Sequence, residues 1–367
     1  MKILFVYASA GFGHRRAAEA LYSYAIRHHK DSQFLLIDIC DYTNRLFRFG
    51  FIWGYQLLVI YAPWLWGFLF RITCLPFFAR MASWGHYYLA NIFFARYKNF
   101  ILRENPDWIV STHFLPSQIK IPLRNGPKVA TVITDYVVHP FWKSPRVHLY
   151  MVASAATAKG LEELGVDRAK IRITGIPIAE EFIAKTGRSQ ILQRLGLRDG
   201  LFTVLITTGY FGIGPVVELV KVLNQQVQFI VVCAKNKRLF SFLQKKKYPN
   251  CRVFQVVNNI HELMDVSQCI IAKPGGLTIA ESLAKGVYPL FVTAIPGQET
   301  GNLAVLASYG IGFSLANPSK VVEEISRLKN DSSLIDGFKA KAVFLARPYA
   351  VKEILDALCQ GSSGVAR

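Results

Sequence analysis

Short apolar runs alternate with amphipathic stretches along nearly the whole chain. A buried-type run that ends in a glycine or polar loop, followed by a 3.6-residue apolar repeat, predicts a parallel strand and then a helix. The predicted strands are residues 2–9, 34–39, 108–111, 128–134, 149–153, 171–174, 202–207, 229–233, 253–256 and 288–293. This alternation is typical of doubly wound α/β domains, and 367 residues favour two of them.

Residues 42–103 interrupt this pattern and carry basic but no acidic side chains, namely Arg45, Arg48, Arg71, Arg80, Arg96, Lys98 and Arg103. Within them, residues 49–70 are free of charge and long enough to span a bilayer. Glycines, Pro63 and evenly spread aromatic residues instead favour helices that dip into the membrane interface and line an entrance for a lipid. Both alternatives stay open.

Composition points to an anionic partner. Lys and Arg number 43 against 24 Asp and Glu, which gives a net charge of +19, while 52% of the residues are hydrophobic. Nucleic acid and an anionic membrane surface both attract such charge, and the high hydrophobicity favours the membrane over nucleic acid. Six scattered cysteines without a C-x-x-C pair indicate neither zinc nor disulfides. We therefore expect a peripheral (monotopic) protein on the cytoplasmic face of a membrane.

Residues 271–302 carry the clearest candidate chemistry. A strand ends at Lys273 and turns through Gly275 and Gly276 into a helix with Thr278 in an N-cap or first-turn position. Exposed amides at a helix start make such a turn an anion cradle. After the next strand, the loop 296–302 gathers Gln298, Glu299 and Asn302. Phosphate at one loop and hydroxyl-binding side chains at the next predict a nucleotide-sugar site.

A glycine loop also follows the first strand. Gly11 and Gly13 lead to His14 on the first turn of a helix predicted over 17–28, and Arg16 excludes the dinucleotide fingerprint. Further along, Asp135, His139 and Trp142 follow the strand 128–134. Asp135 could accept a proton from a hydroxyl or polarise a histidine, and Trp142 could cover the acceptor.

A second glycine loop, at 208–215, includes Gly209 and Gly212 and could approach a diphosphate. The chain has no D-x-D motif, so we expect no metal and no cofactor besides the sugar nucleotide.

The blocks K-P-G-G-x-T-x-x-E and P-G-Q-E-x-x-N, together with G-x-G-H and T-D-x-x-x-H-x-x-W, resemble the glycosyltransferases that include MurG, plant monogalactosyldiacylglycerol synthase and bacterial processive diacylglycerol glucosyltransferases. The similarity is greatest to the last group and covers nearly the whole chain. It implies the GT-B fold, two doubly wound (Rossmann-like) domains facing a cleft. The acceptor and membrane-binding domain would be 1–180, with the insertion at about 42–103. The donor domain would be 181–345, and a helix within 346–367 would return to the first domain.

The resemblance implies an inverting transfer of a hexose from UDP-glucose or UDP-galactose to diacylglycerol or a related lipid. The base would be His14 or Asp135, with Gly11, Gly13, His139 and Trp142 at the acceptor. The donor would be held by Gly209, Gly212, Lys273, Gly275, Gly276 and Thr278, with Glu281 on the ribose and Gln298, Glu299 and Asn302 on the hexose. A UDP-sugar 2-epimerase and a non-catalytic membrane-associated GT-B protein are the alternatives.

Overall fold

The computed structural model describes all residues except Ala10, 123–125, 209–215, Asn224, Thr293, 315–316 and 364–367. The chain divides into two units. The first comprises Met1–Glu180, Ile295–Gly301 and Arg347–Arg367, and the second comprises Glu181–Ala294 and Asn302–Ala346.

The first unit is built on a six-stranded parallel sheet of order β2-β1-β3-β4-β5-β6. Its strands are Lys2–Tyr7 (β1), Gln33–Asp38 (β2), Trp108–Ser111 (β3), Lys128–Val132 (β4), Leu149–Val152 (β5) and Ile171–Ile173 (β6). Central β1 is continuously apolar because both faces of a parallel sheet are covered, and Ile3 to Val6 are at most 1% exposed. Each strand lies within or close to the range that its apolar run predicted.

Seven of the helices described in this unit precede residue 164: Phe12–His28 (α1), Arg45–Tyr61 (α2), Pro63–Cys74 (α3), Pro76–Phe93 (α4), Ala95–Glu104 (α5), Phe114–Gln118 (α6) and Ala155–Glu163 (α7). Helix α1 begins five residues earlier than its apolar repeat predicted, with Gly11 as the N-cap, so His14 lies in its first turn. The apolar repeat missed this turn because Phe12 is 56% exposed and the residues after it are polar.

The basic insertion folds into the four helices α2 to α5. Pro63 and Pro76 each stand at the start of a helix, where the missing N–H costs nothing. Helix α5 belongs to the core, because Phe94, Tyr97 and Ile101 pack on the sheet beside Leu4. This last helix of the insertion thus forms part of the core of the first unit, whereas α2 to α4 remain largely exposed.

Helices α2 to α4 have an unusually apolar surface. Of the described residues, twenty-four large apolar side chains are exposed, and sixteen of these lie between 46 and 102. No single helix in the described chain is long and apolar enough to cross a membrane, although α2 and α3, bent by 115°, together reach the necessary length and composition. The uncharged run 49–70 is thus broken at Ala62, where Pro63 prevents α2 from continuing.

The second unit has its own six-stranded parallel sheet, of order β12-β11-β10-β7-β8-β9. Its strands are Thr203–Thr207 (β7), Gln228–Val232 (β8), Cys251–Phe254 (β9), Cys269–Ala272 (β10), Tyr288–Phe291 (β11) and Phe313–Ser314 (β12). The helices are Arg188–Leu195 (α8), Val216–Leu223 (α9), Lys237–Lys246 (α10), Ile260–Asp265 (α11), Gly276–Lys285 (α12), Gln298–Ser308 (α13), Pro318–Asn330 (α14) and Ser333–Ala342 (α15). The predicted doubly wound class is confirmed in both units.

The last helix, Ala350–Ser363 (α16), lies against the first sheet. Val351, Ile354 and Leu358 share a core cluster with Phe5 and Trp108. Residues 295–301, which the resemblance assigned to the second domain, group with the first unit.

Each sheet reverses its strand order at one point. In the first sheet the reversal lies between β1 and β3, and in the second it lies between β7 and β10. Ligands of doubly wound domains bind at the carboxyl ends of the strands on either side of such a reversal. The His14 turn follows β1 and the Lys273 turn follows β10, so the two candidate turns occupy the expected places.

We expect Gly175, which follows β6 and lies against the start of α16, to tolerate no side chain. Its φ of +90° is left-handed, and a Cβ there would collide with Arg347. Gly175→Ala should lose about 1 kcal/mol from the backbone conformation and a further ~1–3 kcal/mol from the collision, measured by urea unfolding of the first unit. Gly165→Ala is the control, since its φ is +80° but its Cβ would lie 3.4 Å from the flexible Lys143 Nζ. Equal losses in the two variants would contradict the collision.

Candidate active site

His14 is held at both its backbone and its ring by the segment that follows β3. Its Nδ1 lies 2.7 Å from the carbonyl oxygen of Thr112, and the Thr112 hydroxyl donates to the His14 carbonyl at 2.8 Å. A carbonyl oxygen only accepts, so Nδ1 carries the proton and Nε2 keeps its lone pair. Thr134 Oγ1, after β4, lies 2.9 Å from the same Nδ1. Two strand ends therefore fix the tautomer in which Nε2 can accept a proton.

The electrostatic surroundings of His14 suit a base. Burial lowers the pKa of His14 below its usual 6.5, and the charge of Asp135 and the hydrogen bond to Thr112 raise it in part. The ring is therefore neutral at pH 7, and the Asp135 carboxylate favours the imidazolium that proton uptake would form. The two candidates that the sequence left open lie close enough for the charge of Asp135 to raise the pKa of His14.

Gly11 keeps the Nε2 edge of the imidazole clear. A Cβ at Gly11 would lie 3.3 Å from His14 Cδ2 and 3.8 Å from Nε2. Gly13 is the second residue of α1 and is half-buried. Small residues in this turn thus leave room beside the atom that carries the lone pair.

His113 is a candidate that sequence reasoning missed. Its ring centroid lies 4.9 Å from that of His14 in an edge-to-face arrangement. The centroid of the Phe51 ring, on α2, lies 5.9 Å from that of His113. His113 Nδ1 accepts the N–H of Leu115 at 3.1 Å. The position of His113 in the sequence could have identified it, because His14 and His113 follow β1 and β3, the two strands on either side of the reversal in the first sheet.

Trp142 and His139 are buried, at 5% and 8% exposure. Trp142 belongs to a core cluster, with its ring centroid 6.3 Å from that of His14. His139 Nδ1 accepts the N–H of Phe141, so Nε2 carries the proton that Thr73 Oγ1 accepts at 3.0 Å. In the structure His139 thus joins α3 to the segment after β4.

Among the described residues, no side chain caps the start of α12 in the turn after β10. Gly275 is the N-cap without a side-chain cap, and no acidic residue stands in the first turn. Thr278 is therefore a first-turn residue and not the N-cap. Among the described residues, no atom lies within 4 Å of a Cβ built at Gly275. The amides that follow it can serve as an anion site.

The other donor candidates fall into two groups. In the second unit, Asn302 is fully buried and its Nδ2 donates to the Pro274 carbonyl at 3.1 Å, which braces the turn that contains Gly275 and Gly276. In the same unit, Lys273 is half-buried and Glu281 is buried, at 5% exposure.

In the first unit, Glu299 Oε2 accepts the N–H of Ile295 at 2.6 Å, and Gln298 Nε2 donates to the Tyr55 hydroxyl at 3.1 Å. Gly209 and Gly212 lie outside the described residues. In the part of the chain that is described, no group of three or more His, Cys, Asp or Glu side chains could hold a metal ion. The absence of a metal requirement remains a prediction from the sequence.

Comparison with known proteins defines first the class and then the family. Acinetobacter baumannii MurG has a TM-score of 0.58 at 14% identity, with 98% of this chain and 99% of that one covered. A Neisseria meningitidis UDP-GlcNAc 2-epimerase, solved with UDP-GlcNAc, has a TM-score of 0.62 at 13% identity, with 98% and 100% covered. At these identities the likeness concerns the fold alone, which is GT-B.

The sequence is similar to a narrower group. Residues 14–178 match the family model of monogalactosyldiacylglycerol (MGDG) synthase. A processive diacylglycerol beta-glucosyltransferase of Bacillus pumilus is 30% identical over 277 residues, which are 73% of this chain and 72% of that protein. The chain belongs to the diacylglycerol glucosyltransferase and MGDG synthase family of glycosyltransferases, which confirms the resemblance seen in its motifs.

We expect His14 to make folding stability fall in acid. Its folded pKa is lowered, so below the unfolded value of about 6.5 the unfolded chain binds more protons and stability decreases as the pH falls. His14→Gln removes this contribution, so its unfolding midpoint should decline less between pH 7 and pH 5 than that of the unmodified protein. His29→Gln, at the C-cap of the same helix, is the control. Parallel curves for His14→Gln and the unmodified protein would contradict the lowered pKa.

Proposed function

We propose that the protein transfers a hexose from a UDP-sugar to the hydroxyl of diacylglycerol or a related lipid, with inversion at the anomeric carbon. The family is that of diacylglycerol glycosyltransferases. The observation that carries the proposed chemistry is the fixed tautomer of His14, whose Nδ1 is taken by the Thr112 carbonyl while Nε2 keeps its lone pair.

His14 acts as the base in this proposal and Asp135 as its electrostatic partner. Nε2 removes the proton of the lipid hydroxyl while the hydroxyl oxygen attacks the anomeric carbon of the hexose. The bond from that carbon to the β-phosphate oxygen breaks, and UDP leaves with the electron pair. Asp135 stabilises the imidazolium, since its charge already raises the pKa of His14. One displacement without a covalent intermediate inverts the configuration.

The leaving UDP carries negative charge that must be stabilised. The amides at the start of α12 and the positive end of its dipole would stabilise this charge. Lys273, which follows β10, is a nearby cation. Glu281 would bind the ribose, Gln298 and Glu299 would bind the hexose, and Asn302 would brace the turn. No metal is required for this scheme.

A membrane is the expected place of reaction because the acceptor is a lipid. The exposed aromatic and aliphatic side chains of α2 to α4 would enter the interface, while Arg45, Arg48 and Arg71 are exposed and would meet anionic headgroups. Each such arginine adds about 1 kcal/mol near the surface, so attachment should weaken with salt. The protein would therefore bind peripherally, and the net charge of +19 suits that surface.

Incubation with radiolabelled UDP-glucose or UDP-galactose and diacylglycerol micelles tests the reaction. We expect labelled glycolipid, and a loss of about 10²–10⁴-fold in kcat for His14→Ala and Asp135→Ala, because general base catalysis contributes about that much. Binding of UDP should be nearly unchanged in both variants. Isomerised sugar without labelled lipid would instead support an epimerase, and sugar binding without turnover would support a non-catalytic protein. Near-normal rates in both variants would contradict the assignment of the base.

Sedimentation with anionic vesicles tests the membrane surface. Trp64 and Phe68 of α3 are 72% and 55% exposed. Replacing both by Ser should weaken vesicle binding about 100-fold or more, because each large apolar side chain contributes about 1.5 kcal/mol or more when buried. Replacing Val343 and Phe344, which are 74% and 76% exposed in the second unit, is the matched control. Similar losses in both double variants would contradict a surface confined to the insertion.

A further inference from the structure

The connection into α13 is a loop formed by Ile295–Gly301, which includes the first turn of that helix, and it runs against α3 at a distance that only glycine permits. Gly297 has a left-handed φ of +98°, and a Cβ there would lie 2.5 Å from Phe70 Cγ. On α3 itself, a Cβ at Gly67 would lie 2.6 Å from Pro296 Cβ. Both distances are shorter than real Cβ contacts, so neither position has room for a methyl group. The path of this loop is therefore set by helix α3.

The same loop is held on two further sides. A Cβ at Gly301 would lie 2.8 Å from Val137 Cγ1, two residues beyond the candidate Asp135. The Tyr55 hydroxyl of α2 accepts the Gln298 Nε2–H at 3.1 Å, and the Tyr55 ring packs edge to face on Trp66. Within the first unit, the loop thus lies between the insertion helices and the segment after β4.

The Tyr55 hydroxyl is suited to hold an amide. Burial raises the pKa of Tyr55 far above its usual 10, and nearby Glu299 and Asp135 raise it further. The phenol is therefore neutral, with a lone pair for the amide N–H. On the same helix, Trp53 and Leu57 are at least 50% exposed. Tyr55, which is half-buried, consequently links the loop to the helix that carries these exposed side chains.

We propose that Tyr55 is a positioning residue for the donor sugar. By accepting the Gln298 N–H, it holds the side-chain amide in one orientation and leaves Oε1 of Gln298 to accept from a hexose hydroxyl. Ordering a free glutamine on binding costs affinity, and an amide already held in place avoids that cost. This inference rests on the proposed function, in which Gln298 and Glu299 bind the hexose.

The test compares UDP with UDP-hexose binding to the full-length protein by calorimetry. Tyr55→Phe keeps the ring on Trp66 and removes only the hydroxyl. We expect its Kd for UDP-glucose or UDP-galactose to rise about 3- to 10-fold with the Kd for UDP unchanged, because the variant loses one pre-ordered hydrogen bond. Tyr61→Phe, at the exposed end of the same helix, is the matched control and should change neither.

A double-mutant cycle and hydrogen exchange separate positioning from general destabilisation. If Tyr55 acts through Gln298, Tyr55→Phe should have no further effect on hexose affinity in a Gln298→Ala background. Exchange of the amides of 297–301 should be faster in Tyr55→Phe than in Tyr61→Phe. Additive losses, equal weakening of UDP and UDP-hexose, or unchanged exchange would each overturn the proposal.

Failure of the proposed function has a different signature. An unmodified protein that binds no UDP-hexose and labels no lipid would refute the transferase, and the sugar-positioning role would fall with it. Hexose transfer by the unmodified protein together with unaltered hexose affinity in Tyr55→Phe would refute the role of Tyr55 alone.

Discussion

The hydrogen bond from the His14 ring to the Thr112 carbonyl is the interaction on which the site depends. It exists because β1 and β3 are neighbours in the sheet, with Val6 opposite Ser111, so that the residues that follow the two strands meet. The bond fixes the proton on Nδ1 and leaves Nε2 basic. Burial keeps the ring neutral, and Asp135 stabilises its charged form. The pairing of β1 with β3 therefore determines which ring nitrogen of His14 carries the proton.

Much of the fold could be predicted because parallel strands buried on both faces leave continuous apolar runs. The turn at Gly275 was predictable for a similar reason, since a strand, a glycine pair and an amphipathic helix follow each other directly in the chain. The apolar repeat of α1 began only at residue 17 because its first-turn residues are polar or exposed, although the glycine loop correctly indicated that His14 lies on the first turn. Local patterns thus located the elements and the turns between them.

Contacts between distant segments were beyond such reasoning. The bond of His139 to Thr73, the ring contact of His113 with His14 and the bond of Tyr55 to Gln298 each join residues whose separation in sequence conceals their proximity. Asn302 shows the same limit, because its type suggested a sugar ligand, whereas its bond to the Pro274 carbonyl has no signal in the sequence. The residue type indicates which chemistry a side chain can perform, whereas the tertiary contacts determine which groups it binds.

The close contact between α3 and the Pro296 turn limits which substitutions these two segments can accept. Gly67 and Gly297 occur in segments with different tasks, yet neither can gain a side chain unless its neighbour retreats. An exchange of α2 to α4 for another set of helices must therefore preserve a bare backbone at that one point. Variation in these helices is then constrained by two glycines that are far apart in the sequence.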